Sequence, residues 1–250
     1  MKGVLSICLF VIVLLTGWQS LVSGFDLPHY ILPSPMRVVT AFTTHFWLIL
    51  RHATVTFSEV MLGLIFGALL GGMTAIALAA SPVIRAVMRP MMVLSQALPV
   101  FALAPILTLW LGYGLVPKII MALLIIYFPV TSSFFDGLMR TPSGMLDMAR
   151  VMGAKPSAIL LHIRIPAGVP GLASGMRLAA VYAPIGAIIG EWVGASEGLV
   201  YLLLFENGRA KFDLLFPAFF MFVVMTLALH FLVDRLATLA VRRIDPSAAS

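Results

Sequence analysis

Residues 147–166 of the chain read DMARVMGAKPSAILLHIRIP, a charged interval between two long apolar segments. Just before it, Thr141 and Pro142 predict the start of a helix, because a hydroxyl residue and a proline are common at the N-cap and the first helical position. Gly153 is typical of the residue that follows a helix, where the backbone turns left-handed. The first half of the interval is therefore predicted to be a short helix that ends in a glycine turn.

The second half of the interval predicts another short helix. Lys155-Pro156 is typical of a helix start, and we expect Pro166 to end that helix, since proline cannot donate the next backbone hydrogen bond. Each helix would have about ten residues, half of what is needed to span a bilayer. The interval should therefore lie outside the membrane while its apolar neighbours lie inside.

Composition indicates a membrane protein. Of the 250 residues, 61% are hydrophobic and 10% are charged, and the mean hydropathy is +1.08, whereas soluble domains have about 25% charged residues. The single cysteine, Cys8, allows neither a disulfide framework nor a cysteine metal cluster. The net charge of +6 comes from cations between apolar runs, so it indicates orientation in a membrane rather than a nucleic-acid partner.

Six apolar segments are long enough to be spans, which predicts an all-α polytopic fold. They cover residues 4–22, 54–80, 90–111, 115–135, 168–195 and 214–232. The first is expected to be an uncleaved anchor, although a cleaved signal peptide fits the same residues. Residues 38–50 are expected to form an amphipathic helix at the membrane interface.

The distribution of cations predicts which side of the membrane each loop faces. With the N-terminus inside, the inner side would hold Lys2, Arg85, Arg89, Arg140, Arg150, Lys155, Arg164, Arg235, Arg242 and Arg243. The outer side would hold Arg37, Arg51, Lys118, Arg209 and Lys211. Because cytoplasmic loops carry the excess of Lys and Arg, we expect both termini and residues 147–166 in the cytoplasm.

Glycines recur every four residues in two of the predicted spans. Such spacing places them on one helix face, where another helix can approach closely. They are expected to pack helices together, either as static contacts or as moving and dimer-forming surfaces. The six positions are Gly63, Gly67 and Gly71, then Gly186, Gly190 and Gly194.

The interval 147–166 resembles the signature loop of ABC importer permeases. In that family Glu-Ala-Ala is followed by three residues, Gly, nine residues and Ile-x-Leu-Pro. This sequence has Asp for the Glu and Met148 for the first Ala, and it keeps the spacing. The resemblance implies a cytoplasmic coupling loop over 136–166, with its ATPase contacts carried by Asp147, Ala149, Gly153, Ala154, Ile163 and Pro166. An ordinary cytoplasmic helical loop is the alternative.

The resemblance extends over nearly the whole chain and implies a type I ABC importer permease. Its expected partners are a separate ATPase, a periplasmic solute-binding protein, a second copy of the permease and membrane lipid. The chain itself would bind no cofactor, with ATP and Mg²⁺ on the ATPase. We expect the protein to lie in the inner membrane. Residues 1–53 would form an anchor and a periplasmic interfacial segment, residues 54–241 a permease core of five spans, and residues 242–250 a cytoplasmic tail.

A narrower similarity concerns the solute. Residues 32–35, 99–114 and the loop look like the taurine, alkanesulfonate and nitrate group, whereas residues 183–196, APIGAIIGEWVGAS, are similar to permeases assigned to hydroxymethylpyrimidine, a thiamine precursor. An aromatic face and an acceptor would suit an aminopyrimidine, which makes candidates of Glu191, Trp192, Tyr182 and Asn207. Alternatively, Glu191 caps the bundle beside an interfacial tryptophan.

Two other classes of function find little support in the sequence. A membrane-embedded enzyme needs convergent catalytic or metal-binding groups, and no histidine pair has metal-ligand spacing on one helix face within a span. A stand-alone ion-coupled carrier needs several acids or bases in mid-span, and only Glu59 and Glu191 qualify. Glu59 is expected at the interface or facing the bundle, with a binding role as the alternative.

Overall fold

The structure is a computed structural model that describes residues 2–244, and the helical prediction is confirmed for this part of the chain. Its helices are α1 Lys2–Gly24, α2 Pro35–Thr44, α3 Phe46–Ala80, α4 Pro82–Ala97, α5 Val100–Leu111, α6 Leu115–Met139, α7 Ser143–Val151, α8 Pro156–Ile159, a π-helical turn Leu160–Arg164, α9 Ile165–Gly194, α10 Leu199–Gly208 and α11 Phe212–Ile244.

Four long apolar helices match the predicted spans that begin at residues 54, 115, 168 and 214. They are Phe46–Ala80, Leu115–Met139, Pro156–Gly194 and Phe212–Ile244. The span expected over 90–111 is instead two helices, α4 and α5, bent by 96° at the Leu98-Pro99 break. The helix α1 covers the first predicted span, and Ile12–Gly24 is the apolar stretch identified among its described residues.

The interfacial helix expected over 38–50 was placed incorrectly. The helix α2 starts at Pro35, where the Ser34 side chain accepts a hydrogen bond from the Arg37 backbone N–H, and ends at Thr44. Residues 46–50 belong to α3, which continues without a break to Ala80. A break at His45 therefore separates a ten-residue amphipathic helix from a 35-residue apolar one.

The first helix of the signature loop starts one residue later than predicted. The helix α7 begins at Ser143, and the Thr141 hydroxyl donates to the Leu138 carbonyl of the preceding helix, at 3.0 Å, instead of capping α7. At the other end Gly153 has φ +78°, as predicted. The Gly153 N–H donates to Arg150 and the Ala154 N–H to Ala149, both at 2.9 Å, which is the pattern of a Schellman cap.

Pro166 does not end the second helix. It occupies the first turn of α9, where a missing N–H is tolerated, and the helical run continues from Pro156 to Gly194 through the π-turn. The second half of the loop is therefore the start of a transmembrane helix, and only α7 is a separate short helix.

Packing divides the described chain into two units. The first unit comprises residues 2–56 and 196–224, and the second comprises 57–195 and 225–244. In the first unit, the N-terminus of α10 is capped by α3: the Gly198 N–H donates to His52 Nδ1 at 3.0 Å, and the Leu199 N–H to the Thr56 hydroxyl at 2.8 Å. The division expected at residues 54 and 242 stays a prediction.

The second unit has its core around α6. Apolar side chains from α3, α6, α9 and α11 form one buried cluster, which includes Val60, Leu64, Ala122, Ile126, Val130, Ala179, Ala180, Ala183, Ala187, Leu229 and Val233. Alanines predominate on α9 in this cluster, and their small side chains allow a close approach of helix backbones. The two helices α6 and α9 are therefore the central pair on which the candidate site is built.

Candidate functional site

Five of the six glycines in the two predicted series lie directly against α6. A Cβ added at Gly63 would be 2.5 Å from the Ala122 side chain, and one at Gly186 would be 2.5 Å from the Ala122 Cα. Gly67 and Gly71 continue the first contact along Ile126 and Val130 of the same helix. Both glycine series therefore make intrachain helix contacts in this structure, with Ala122 held between them.

The remaining glycines of the α9 series adjoin larger side chains. A Cβ at Gly190 would be 2.9 Å from the Lys118 Cγ, and one at Gly194 would be 2.9 Å from the Tyr113 ring. Gly190 thus leaves room for the stem of a lysine that the sequence placed on the outer side. Lys118 is only 6% exposed, so its side chain packs inside the second unit, and the side of the membrane on which it lies stays a prediction.

Lys118 is part of a buried ionic cluster formed by three helices. Its Nζ donates to Glu59 Oε1 at 2.5 Å, and the carboxyl of Glu191 is close enough to interact with that of Glu59. Glu59 and Glu191 are 1% and 2% exposed. Ionised groups so deep in an apolar bundle are retained only when they are paired. Glu59 therefore faces the bundle, as one of the two expectations had it.

A cavity of about 470 Å³ opens between the α4–α5 break and the central pair α6–α9. It is lined by Ser95, Gln96, Leu98, Val100, Leu124, Ile125, Phe128, Pro129, Ser132, Ser133, Leu178 and Tyr182. Its lining offers three serine hydroxyls, one amide and two aromatic rings, without a charged side chain. Such walls suit a small uncharged solute with a planar, hydrogen-bonding body.

Two further cavities adjoin the first along one face of α6. One of about 160 Å³ shares Phe128 and Ser132 with it, and one of about 410 Å³ shares Ser133. Both are lined by Asp136, and they add Arg85, Arg89 and Arg140. The row of cavities therefore changes along α6 from an uncharged end to a charged end.

Of the four residues proposed to contact solute, only Tyr182 lines the large cavity. Glu191 is engaged in the buried ionic cluster. Trp192 is exposed and meets Phe101 edge to face, with ring centroids 6.5 Å apart. Asn207 is an exposed residue of α10 in the first unit. The solute role of all four stays a prediction.

The cavity residues that sequence reasoning missed are polar positions of α6. Ser132, Asp136 and Arg140 recur every four residues on one helix face, and this spacing within an apolar span is a signal that could have identified them. Gln96 and Ser95 lie just before the bend between α4 and α5, and no pattern in the sequence links them to α6.

The signature loop has a small core of its own. Leu146 and Ala149 of α7 pack on Ile159, with Ala154 and Ile163 at the edge. Asp147 is paired with Arg150 at 2.7 Å on the exposed side. Apart from this ion pair, the outward face of α7 is apolar, since Met145, Met148 and Val151 are exposed, as is Met152 just after the helix. The loop thus combines a fixed inner face with an exposed apolar face.

The described residues contain no group of three or more His, Cys, Asp or Glu that could hold a metal ion. Residues 61–246 match the family described as the binding-protein-dependent transport system inner membrane component. The chain belongs to this family. It is therefore a multi-pass membrane permease, a transport subunit rather than an enzyme, and permeases of this type work with a partner ATPase and a solute-binding protein.

Similar proteins agree with this assignment. The permease is 48% identical over 226 residues, 90% of this chain and 92% of the other, to a probable ABC transporter permease protein of Haemophilus influenzae. It is 32% identical over 194 residues, 77% of each chain, to the formylaminopyrimidine transport permease ThiX of Halalkalibacterium halodurans. Its fold matches that of a MetNI methionine ABC transporter chain with a TM-score of 0.67 and 19% identity, over 79% of this chain and 98% of that chain.

Proposed function

We propose that this ABC importer permease carries an uncharged aminopyrimidine, with the thiamine precursor hydroxymethylpyrimidine as the first candidate. The observation that carries the proposal is the uncharged cavity beside Tyr182 and Phe128. A planar pyrimidine can stack on an aromatic ring, while serine hydroxyls and the Gln96 amide can donate to its ring nitrogens and accept from its amino group. A sulfonate or nitrate would leave an anion there without a cationic partner, which is unfavourable in an apolar site.

Similarity to ThiX supports the same class of solute. That permease is named for formylaminopyrimidine, and 77% of this chain aligns with it. The narrower sequence similarity around residues 183–196 also points to a thiamine precursor, because this stretch is similar to permeases assigned to hydroxymethylpyrimidine. It follows Tyr182 directly, at the C-terminal end of α9. Aliphatic sulfonates, taurine and nitrate are the competing cargoes.

The proposed assembly has two copies of this permease, two ATPase subunits and a periplasmic binding protein in the inner membrane. We place the signature loop in the cytoplasm, where the exposed apolar face of α7, with Met148 and Val151 at its centre, would dock into the ATPase. ATP and Mg²⁺ would bind to the ATPase and not to this chain. ATP binding would draw the loops together and alternate access to the pathway.

Uptake of labelled hydroxymethylpyrimidine tests the cargo. Cells that express the permease, its ATPase and its binding protein together should accumulate the label, and cells that lack any one of the three should not. Unlabelled formylaminopyrimidine should compete, whereas taurine and nitrate should not. Uptake of labelled taurine by the complete system, without uptake of the pyrimidine, would overturn the proposed cargo.

Two variants of Tyr182 test whether uptake depends on the uncharged cavity. Tyr182→Ala removes an aromatic wall, and we expect it to lower uptake by about 5- to 150-fold, since loss of one stacked ring contact costs about 1–3 kcal/mol. Tyr182→Phe keeps the ring and should retain most of the uptake. Leu178→Ile serves as a volume-conserving control in the same wall. Equal uptake by Tyr182→Ala and the wild type would exclude this cavity from the pathway.

A further inference from the structure

The junction between the signature loop and α9 has an unusual helical geometry. The Ile165 N–H donates to the carbonyl of Leu160, five residues back, so one extra residue is accommodated in this turn. In an α-helix each residue turns the chain by about 100°. The extra residue therefore rotates the helix after the turn relative to the helix before it, so that their side-chain faces no longer line up. Such π-turns are frequent at functional sites.

The π-turn joins two separate apolar clusters. Ile159 and Ile163 pack on α7 inside the signature loop. Leu160 and Ile165 pack instead on a buried cluster formed by Ala75, Ala79, Phe134 and Leu138 of α3 and α6. The same few residues thus hold the loop on one side and the transmembrane core on the other, so a movement of α7 has a direct route into α3 and α6.

Arg164, the last residue of the turn, makes a polar connection to the core. Its Nη1 donates to the Ala79 carbonyl at 3.4 Å, near the C-terminus of α3. The final carbonyls of a helix lack intrahelical donors, and a cation near them is favourable. Arg85 Nε donates to the neighbouring Leu78 carbonyl at 3.0 Å. Two guanidinium groups therefore cap the end of α3, one of them from the loop junction.

Arg164 also has an unpaired hydrogen-bond donor next to a cavity. Its Nε is buried and has no hydrogen-bond partner among the described residues. A cavity of about 420 Å³ lies alongside, lined in part by Ala80, Ala154, Ser157 and Leu160. A buried unpaired donor is unfavourable, and the cavity, which Arg164 itself lines, gives the guanidinium space to move. The contact with α3 can therefore be remade when the loop moves.

We propose that Arg164, presented by the π-turn, is a positioning residue that holds the signature loop against the end of α3 and transmits its movement to the core. The inference rests on the proposed docking of the loop into the ATPase. Arg164 itself need not touch the ATPase. Its role would be to make ATP hydrolysis respond to the loaded binding protein, rather than to bind the ATPase or the solute.

The test uses the complete assembly in lipid nanodiscs, with the binding protein purified together with its natural cargo. We expect Arg164→Met to retain the ATPase subunit on the permease and to lower the stimulation of ATP hydrolysis by the binding protein about fivefold or more, the range of allosteric coupling. Arg164→Lys, which keeps a cation for the Ala79 carbonyl, should restore part of the stimulation. Lys155→Met, which removes an exposed cation of the same loop, is the matched control and should behave as the wild type.

A second variant tests the π-turn itself. Deletion of Leu161, a residue that is 58% exposed, would return the turn to α-helical spacing and misplace Arg164. We expect this deletion to abolish stimulation, and Leu161→Ala, which keeps the residue count, to preserve it. Normal stimulation in either Arg164→Met or the deletion would overturn the proposal, as would a loss of ATPase binding that explains the whole defect.

The experiments distinguish a wrong cargo from a wrong role for Arg164. Stimulation is measured with natural cargo, so a wild-type assembly that responds to its binding protein but takes up no hydroxymethylpyrimidine would refute the cargo alone. A lower melting temperature of Arg164→Met with unchanged stimulation per assembled complex would show a purely structural role and overturn the positioning role.

Discussion

The buried charges of the second unit show how individual residues constrain this bundle. Lys118 supplies the cation for Glu59, and Glu191 adds a second carboxyl to the same cluster. Arg177 of α9 is also paired with Asp234 of α11, at 2.6 Å, but these two side chains are 35% and 44% exposed. Charged groups in a bilayer are tolerated when they face the protein interior and are paired. The interior of this unit is therefore held together by the Lys118–Glu59 pair as well as by apolar packing.

Removal of Lys118 alone should destabilise the permease more than removal of Lys118 and Glu59 together. Lys118→Met leaves two buried carboxyl groups without a cation, and we expect a loss of about 3–5 kcal/mol in stability, as for other broken buried pairs. Adding Glu59→Met to Lys118→Met should recover part of that loss. Thermal unfolding of the purified permease in detergent would measure both effects.

Arg51→Met is the control for this comparison. Arg51 is paired with Glu197, but both side chains are substantially exposed, and surface pairs contribute about 0–1 kcal/mol. Its melting temperature should therefore stay close to that of the wild type. If the double variant is no more stable than Lys118→Met, the cluster does not act as a charge pair.

At the scale of helices, the fold depends on the close approach of α3, α6 and α9 at one alanine. Ala122 lies between Gly63 and Gly186, and both glycines leave no space for a side chain. Small residues at helix crossings are how membrane bundles gain van der Waals contact. The spacing of the glycines predicted a packing face, and the structure shows which helix covers it.

A methyl group at Gly186 should force these helices apart. Its Cβ would be 2.5 Å from the Ala122 Cα, a backbone atom that cannot rotate away, so we expect Gly186→Ala to destabilise the permease by about 1–3 kcal/mol. Gly72→Ala is the matched control, because a Cβ there meets no atom within 4 Å. Melting temperatures in detergent would compare them, and equal values would contradict the tight crossing.

The glycine turn of the signature loop allows a sharper test of docking. Gly153 has φ +78°, yet an added Cβ would meet no atom of its own chain within 4 Å. We expect Gly153→Asp to insert normally but to lose transport, because it adds a charge where the ATPase is proposed to dock. Gly153→Asn has the same shape without the charge and tolerates this backbone region, so it should keep more transport.

Transport assays at matched membrane abundance, together with co-purification of the ATPase, would measure this difference. Wild-type uptake by Gly153→Asp would rule out docking at this turn. A drop in abundance of both variants would instead locate the effect in folding, since a non-glycine residue at positive φ costs about 1–2 kcal/mol.

At the scale of the whole molecule, orientation in the membrane follows from where cations accumulate. The expected cytoplasmic side holds twice as many Lys and Arg residues as the outer side, even though Lys118 is buried rather than exposed. The match to a permease family places the chain in a membrane with several spans. The direction in which it is inserted stays a prediction.

Cysteine labelling would determine that direction. In a Cys8→Ser background, Ser157→Cys in the signature loop should react with a membrane-impermeant maleimide only after cells are permeabilised. Asn207→Cys in α10 should react in intact cells. Both positions are exposed, so protection of either one reflects the membrane rather than the fold. Labelling in the reverse pattern would invert the proposed topology.

Sequence alone determined the class of this protein and most of its elements. Apolar length and the positions of proline and glycine are local properties, and they predicted most helical spans, the glycine turn at Gly153 and the separate short helix α7. Where neighbouring residues could continue a helix, local signals were insufficient. Pro166 is compatible with the first turn of α9, and the prolines of residues 90–111 did not show that the chain bends by 96° between α4 and α5.

Only the tertiary structure decided which residues meet. In the sequence Lys118 was counted among the outer-side cations, whereas in the structure α6 brings it to Glu59, 59 residues away in sequence. Arg164 was counted among the cytoplasmic cations, and only the structure shows its contact with Ala79. The cavity beside Tyr182 joins three separate segments. Such contacts arise from helix crossings, whose geometry depends on side-chain fit between distant segments and has no local signature in the chain.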